Sequence, residues 1–419
     1  MRKIFSSVDI GSNYIKIIVS ELFDEKLNIL ANTMYPSLGI RNGIIVDDDA
    51  FTKSLKEAFN EVNTSLGLEI SKVIINIPLI DAEYMVSEGE TTITNSNKVI
   101  SGNDMVNALQ GAIYNKIDKT KELVTIMPIK YNIDTVKDDI ENPRGLKANK
   151  LKVKAMSAIT YKKNIYKVIS IFHSLGIEVV DILYGIIGDY YEFKSSKTDK
   201  TVTGVINIGS DKTECAIFNR GIITSSMVLN IGSSIIDSDI SYVYNIKKQK
   251  SKELKETFAI AHKDYASNSD IYELTNLSNI KTKISQYEVS DIVSSRLKEI
   301  LINSKKELNH LTKKEISYII VSGGITNMPG FDILVKEIFG DIVIIKAVNT
   351  IGVRNNSYSS CLGMVKYFIN KLSIRGKEYT MFNEYDEIEL VERRKNNNLN
   401  NSESVFGKLF GYLFDNKED

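Results

Sequence analysis

Apolar positions along this chain switch repeatedly between a period of two and a period near 3.6, the spacings of strands and of helices. Residues 1–35 read as strand, turn, strand, strand. Asp48 or Asp49 is expected to cap a helix whose apolar positions Phe51, Leu55, Ala58, Phe59, Val62 and Leu66 keep helical spacing. Ser71 to Pro78 reads as a buried strand closed by proline. Strands alternating with helices in this way indicate an α/β domain.

The pattern changes near residue 80. A helix is expected near 104–117, then a strand over 123–134 and a turn at Asn142-Pro143-Arg144-Gly145. Next, Leu151, Val153 and Ala155 alternate strictly with Lys150, Lys152 and Lys154, the mark of a half-buried strand. The lysines form either a solvated, edge-protecting face or a docking surface for another protomer. Helical spacing returns at Ile165, Val168, Ile169, Phe172 and Leu175, and Gly176 ends it. Residues 81–161 therefore read as a small module inserted into a first lobe made of 1–80 and 162–197.

A second lobe follows, from 198–240 and 316–375, interrupted by a mostly helical excursion at 241–315. Its late core strand, Tyr318 to Val321, runs straight into Ser322-Gly323-Gly324, and a helix is expected over Asp332–Phe339. From 376 to 403 the composition is that of a flexible linker, with an asparagine-rich run at 396–401. One last organised piece occupies 404–417. On a helical wheel of about 100° per residue, Val405, Phe406, Leu409, Phe410, Leu413 and Phe414 fill one half. Ser404, Gly407, Lys408, Gly411 and Asp415 fill the other. At the end of a polar tether this face reads as an interfacial membrane anchor, the alternative being docking on the protein's own body or in a partner's groove. Six such side chains bring a gross ~9–18 kcal/mol if fully buried, reduced by partial burial and by ordering. Lys408 and Lys417 are offset by Asp415, Glu418 and Asp419, so attraction to anionic lipid is slight. Tails arrayed on a polymer would add avidity.

Composition narrows the function classes. Lys+Arg and Asp+Glu balance at 53 each across 419 residues, so no global field attracts nucleic acid. Two cysteines, Cys215 and Cys361, cannot make a disulfide framework and fit a reducing cytosol. No apolar run reads as a signal peptide or a bilayer span, which points to a cytosolic protein unless something anchors it.

Two segments carry the chemistry. Val8-Asp9-Ile10-Gly11-Ser12-Asn13 and Ile206-Asn207-Ile208-Gly209-Ser210-Asp211 are each an apolar strand running into a glycine turn and then a second strand. Glycine turns leave backbone N–H groups uncovered, and outward N–H groups bind phosphate. Two copies suggest two like-folded lobes closing on one nucleotide. Ser322-Gly323-Gly324, at a strand's end before a helix, is a third candidate, where a base or ribose can lie on bare backbone. His173, His262 and His310 are scattered and form no catalytic arrangement, His173 being read as a partly buried structural residue. Both cysteines are expected to be small core residues.

Asp-Ile-Gly-Ser at 9–12, the hairpin at 205–218 and Ser-Gly-Gly at 322–324 together resemble the actin-like ATPase superfamily, and within it the FtsA family of bacterial cell division. The resemblance extends to Gly39–Asp47, Ile231-Gly232, Ser238-Asp239-Ile240 and Ser357–Met364, and it covers nearly the whole chain. It implies a two-lobed actin-like ATPase fold of duplicated ribonuclease-H-like domains, with 1–80 and 162–197 as 1A, 81–161 as the inserted α+β module 1C, 198–240 and 316–375 as 2A, and 241–315 as 2B. The C-terminal amphipathic helix completes that plan.

The resemblance also implies roles. Gly11, Ser12, Asn13 and Lys16 would hold ATP phosphate from one side, with Asp9 orienting Mg2+ through water. Gly209, Ser210, Asp211 and Lys212 would face it from the other side, beside Asn207. Gly232, Gly323, Gly324 and Met328 would line the ribose and base, with Lys255 packed near the nucleoside. The 2B segment would receive the C-terminal peptide of the tubulin-like FtsZ, Arg296 and nearby lysines being plausible contacts. The chain would self-assemble into filaments and meet other division proteins at the cytoplasmic face of the membrane, as a peripheral protein at the division site.

Departures from the family pattern qualify this. Asp-Ile-Gly-Gly-Gly-Thr-Thr-Asp becomes Asn207-Ile208-Gly209-Ser210-Asp211-Lys212-Thr213-Glu214, and the glutamate expected three residues before Lys255 is Lys252. ATP binding is expected to survive, with hydrolysis slow or absent. The alternatives are a pilus-assembly-type actin-like adaptor, or a phosphotransferase resembling sugar and acetate kinases, against which Asn207 and the tail both argue.

Overall fold

The computed structural model describes residues 3–376 and 378–382. The expected tail helix at 404–417, with its membrane-facing residues, lies outside the described residues.

The first two-period stretch folds as β1 (Lys3–Ile10), β2 (Tyr14–Phe23) and β3 (Lys26–Pro36), all antiparallel neighbours. A short hairpin, β4 (Ile40–Arg41) and β5 (Ile44–Ile45), leads into α1 (Asp48–Leu66). The cap of α1 is Asp47, not Asp48 or Asp49: its carboxylate accepts from Ala50 N at 3.0 Å, the third position of the helix, which only the residue just outside the first turn can reach. β6 (Lys72–Ile77) joins β1 in parallel.

Then comes the inserted unit: β7 (Glu83–Thr92), α2 (Gly102–Ile113), β8 (Lys121–Ile133), β9 (Val136–Ile140) and β10 (Lys150–Tyr161). Its four strands make a separate antiparallel sheet in the order β7-β10-β8-β9. Ser101 and Asp104 cap α2 reciprocally. Leu151, Val153 and Ala155 are buried on β10, while Lys150 and Lys152 are exposed, as the alternation requires.

The chain returns through α3 (Lys163–Ser174) to β11 (Glu178–Tyr184), parallel to β6, and α4 (Gly185–Phe193). His173, expected to be partly buried, is exposed because it falls on the outer face of α3. β12 (Val202–Ile208), β13 (Thr213–Asn219) and β14 (Ile222–Leu229) repeat the opening three-strand meander. After α5 (Ser234–Tyr244) and α6 (Lys248–Thr257), the excursion expected to be mostly helical also holds a hairpin, β15 (Ile271–Thr275) and β16 (Lys281–Ser285), before α7 (Gln286–Leu311). β17 (Tyr318–Ser322), α8 (Phe331–Phe339), β18 (Val343–Ile344) and α9 (Ser359–Arg375) complete the described elements.

The two five-stranded sheets have the same topology. Read from the meander edge, one runs β3-β2-β1-β6-β11 and the other β14-β13-β12-β17-β18, each antiparallel for three strands and parallel thereafter. The second sheet is buried on both faces. Val205, Ala216 and Phe218 join the core that includes the first sheet, while Ile206, Ile208, Cys215 and Ile217 join a core with α5, α7 and α8.

Helix α9, expected with the second lobe, packs into the first-lobe core through Cys361, Met364, Val365 and Phe368. It crosses α4 where Gly188 meets Gly363, which leaves no room for a side chain at either position. Both cysteines are fully buried and free, as expected of small core residues.

Candidate functional site

The meander-to-turn joints of the two sheets face one cleft of about 440 Å³. Their geometry is the same. Gly11 N donates to Tyr14 O at 3.0 Å, and Gly209 N donates to Lys212 O at 2.9 Å. Ser12-Asn13 and Ser210-Asp211 thus occupy equivalent turn tips. Asp9 and Asn207 occupy equivalent registers, each next to last in its strand.

The cleft gathers nearly all of the residues singled out in the sequence. Asp9, Gly11, Ser12, Asn13, Lys16, Asn207, Gly209, Ser210, Asp211, Lys212, Lys255, Gly323, Gly324 and Met328 line it. Gly232 does not. It backs the second turn, where a Cβ would collide with Ser210 O, and it brings Ser233 N and Ser234 N within 2.9 Å of the Gly209 and Ser210 carbonyls. Gly323, at φ +104°, lets the end of β17 pass against the Ile208 carbonyl, an approach closed to any side chain.

The first turn is a neutralised carboxylate site. Asp9 Oδ2 receives Lys16 Nζ at 2.6 Å, and Oδ1 receives Asn76 Nδ2 at 2.7 Å. Asn76 Oδ1 in turn accepts from Ile10 N at 2.6 Å, which fixes the turn to β6. Burial works against the charge of Lys16, yet Asp9 outweighs it, and the ammonium is held above its ordinary value.

The second turn differs in charge at each matching place. Opposite Asp9 in the ladder stands Lys16, whereas opposite Asn207 stands Glu214. Asn207 Nδ2 donates to the buried carboxylate of Asp189, which also accepts from Ser359 Oγ at 2.6 Å and Ser360 Oγ at 3.3 Å. Burial pushes Asp189 up to about 6, with Ser359 and Asn207 pulling it down and Asp9 pushing it up. Burial also pushes Glu214 up to about 7, helped by the negative charges of Asp189 and Asp9.

Four lysines line the cleft, and they are not equivalent. Lys16 is tied to Asp9, and Lys255 is tied to Asp237 at 2.7 Å in a nearly water-free pair. Lys212 and Lys252 have no carboxylate partner among the described residues, and their charges remain available to an anion. Lys252, at the place of the expected glutamate, donates instead to Tyr14 OH at 2.8 Å. Asp211, one of the departures in the second turn, accepts from Asn42 N at 3.1 Å. Both departures therefore make contacts between the two halves of the chain.

Several residues of the site were given no role in the sequence reading: Tyr14, Asn76, Asp189, Glu214, Ser359 and Ser360. Two left a signal. Asn76 interrupts an otherwise apolar buried strand, and Asp189 is the only charge in Gly-Ile-Ile-Gly-Asp-Tyr-Tyr. Arg296, offered as a contact for an acidic peptide, already bonds Asp239 at 2.7 Å and Glu299 at 2.6 Å. Among the described residues no cluster of His, Cys, Asp or Glu is arranged to hold a metal directly.

Comparison with known proteins places the fold. The model for cell division protein FtsA matches residues 204–363, and that for the SHS2 domain inserted in FtsA matches 82–159. FtsA of Bacillus subtilis strain 168 is 26% identical, covering 90% of this chain and 86% of its own. FtsA of Enterococcus faecalis is 22% identical, covering 98% and 99%. Among solved structures, the PilM–PilN type IV pilus biogenesis complex aligns with a TM-score of 0.57 at 13% identity, covering 89% of this chain and 99% of that one. MreB5 of Spiroplasma citri bound to ADP aligns with a TM-score of 0.52 at 13% identity, covering 88% and 98%. Two like-built lobes around one cleft, a separate inserted sheet and two family models that together span more than half of the sequence lead to one conclusion: the chain belongs to the FtsA family of actin-like cell-division proteins.

Proposed function

We propose that this protein binds ATP with Mg2+ in the cleft between its two matching sheets, self-assembles into filaments, and tethers FtsZ filaments to the cytoplasmic membrane through its C-terminal segment. The observation that carries the nucleotide reading is the pair of glycine turns, at Gly11 and Gly209, closed by the same backbone hydrogen bond and facing one cleft. The related MreB5 structures bound to ADP and to AMPPNP support it by analogy of fold.

The residues fit the ligand. Lys212 and Lys252 supply positive charge without a carboxylate partner for phosphate, and both glycine turns line the same cleft. Gly323 and Gly324 offer bare backbone to a nucleoside, next to Met328. Asp9 has one hydrogen bond on each oxygen, and a carboxylate has about four acceptor sites, so about two remain for water around a cation. Bound Mg2+ would neutralise phosphate charge. Lys255, locked on Asp237, shapes the wall and is spent as a free cation.

Hydrolysis is proposed to be slow or absent. Asn207 accepts no proton at neutral pH; of the two carboxylates at the second turn, Glu214 has its charge weakened by burial and Asp211 is engaged by Asn42 N. The domain plan of the sequence reading is retained as part of the proposal, with 2B at 241–315 receiving the FtsZ peptide and the described residues holding no helix long and apolar enough to cross a membrane.

Equilibrium ATP binding, single-turnover hydrolysis, and co-sedimentation with liposomes and FtsZ test these elements together. ATP binding without brisk turnover, and liposome binding lost in Phe410→Glu, are expected. Fast multiple turnover, or membrane binding indifferent to that change, would count against the corresponding element.

A further inference from the structure

We infer that Asp189 is a positioning residue of the cleft, carrying one layer behind Asn207 the negative charge that the family pattern places at position 207 itself. The inference rests on the nucleotide reading above and concerns which side chains organise that site.

Three observations converge. First, the Asn207 amide has one chemically sensible orientation, because an ionised carboxylate only accepts: Nδ2 faces Asp189. Its Oδ1 then points away from Asp189 and receives no hydrogen bond from any described residue, while Asn207 lines the cleft. Asp189 thereby aims a neutral carbonyl oxygen at the ligand space, an acceptor suited to a water of a hydrated cation.

Second, Asp189 is fully buried and has no Lys or Arg in contact among the described residues. Its donors are Asn207, Ser359 and Ser360, all neutral. A buried carboxylate with no cation in contact is costly to keep, and Lys16 offsets that cost only through space. A purely structural role would be met as well by a neutral acceptor.

Third, the surroundings explain why position 207 is not itself acidic. Glu214 stands opposite it in the ladder, and Asp189 touches it. An aspartate at 207 would press a further carboxylate between those two. In the first sheet the same register is relieved by Lys16 opposite Asp9. The second sheet reaches a comparable polarity by moving the charge one layer back.

The test measures ATP affinity with and without Mg2+ on the full chain, for wild type, Asp189→Asn, Asn207→Asp and the double exchange. Loss of an outer-layer partner of a cation site costs about tenfold to a hundredfold in affinity. Asp189→Asn is therefore expected to lose about that much Mg2+-dependent affinity while Mg2+-free binding holds. The double exchange, which returns the carboxylate to position 207, is expected to recover most of the loss. If Asp189→Asn folds poorly, Ser359→Ala removes one donor and keeps the charge, and should show a smaller loss of the same Mg2+-dependent kind. Wild-type affinity in Asp189→Asn, or a double exchange no better than Asp189→Asn, overturns the inference while leaving nucleotide binding intact. A wild type that binds no ATP at all overturns the nucleotide reading and takes this inference with it.

Discussion

Lys252 and Tyr14 meet across the cleft: the ammonium donates to the phenol oxygen at 2.8 Å and lies 4.3 Å from the ring centroid. One residue belongs to α6 and the other begins β2, so this contact fastens the two halves of the molecule together. Asp211 with Asn42 N, and Tyr84 with Ser226 at 2.6 Å, fasten the same seam at other points. Each joins residues far apart in sequence, and two of the three use side chains that depart from the family pattern.

Removing that contact should loosen the seam. Lys252→Ala is expected to lower stability by about 1 kcal/mol, the sum expected of one hydrogen bond and one partly exposed cation–π contact. Tyr14→Phe keeps the ring and should lose only about half as much. Urea denaturation with hydrogen exchange at the start of β2 reads both. Equal effects would show that the ring contact contributes nothing.

The Lys255–Asp237 pair is predicted to be structural. Its side chains are 4% and 3% exposed. Breaking one partner of a buried pair typically costs about 3–5 kcal/mol because it strands a charge. Lys255→Met should show a loss in that range on urea denaturation, and Asp237→Asn in the same background should return much of it. A mild effect on stability with a large loss of ATP affinity would instead make Lys255 a direct ligand contact.

Acid should favour the folded state at one point in the cleft. Glu214 is raised from an ordinary 4.5 to about 7 by burial and by Asp189 and Asp9. The folded protein therefore holds a proton that the unfolded chain has released between those values, and stability falls as pH rises through that window. Glu214→Gln removes the titration. Its stability relative to wild type should be higher at pH 8 than at pH 5, as measured by denaturation at both.

Gly323 and Gly324 should respond differently to alanine. At Gly323 the backbone has φ +104° and a Cβ meets the Ile208 carbonyl, so Gly323→Ala is expected to cost at least the order of 1–3 kcal/mol of a strained residue. At Gly324 the obstacle is Ser357 Oγ at 2.7 Å, the end of a side chain that can turn aside. Thermal midpoints of the two variants compare them directly, and the larger drop is expected for Gly323→Ala.

Much of this was legible along the chain. Period-two and 3.6-residue patterning located the main strands and helices. The repeated glycine turns announced two like lobes, because a turn's chemistry is local and is written in four or five consecutive residues. All but one of the expected cleft residues line the same space. Their roles toward a ligand are local inferences and await the measurements above.

The sequence read alone marked Asn207, Asp211 and Lys252 as departures from the family pattern, Lys252 standing where an acid was expected. Only tertiary structure shows where those changes lead. Asp189 comes from α4, Ser359 from α9, Tyr14 from β2 and Asn42 from a distant hairpin, and none is near its partner in sequence. Helix α9 likewise crosses back to the first core, a choice made by burial of its Cys361–Phe368 face and the Gly188–Gly363 crossing and not by chain order. Local patterning determined the elements and the turns, since those depend on neighbours in sequence. Which charges face one another was decided by packing, since electrostatic pairing depends on distance in space.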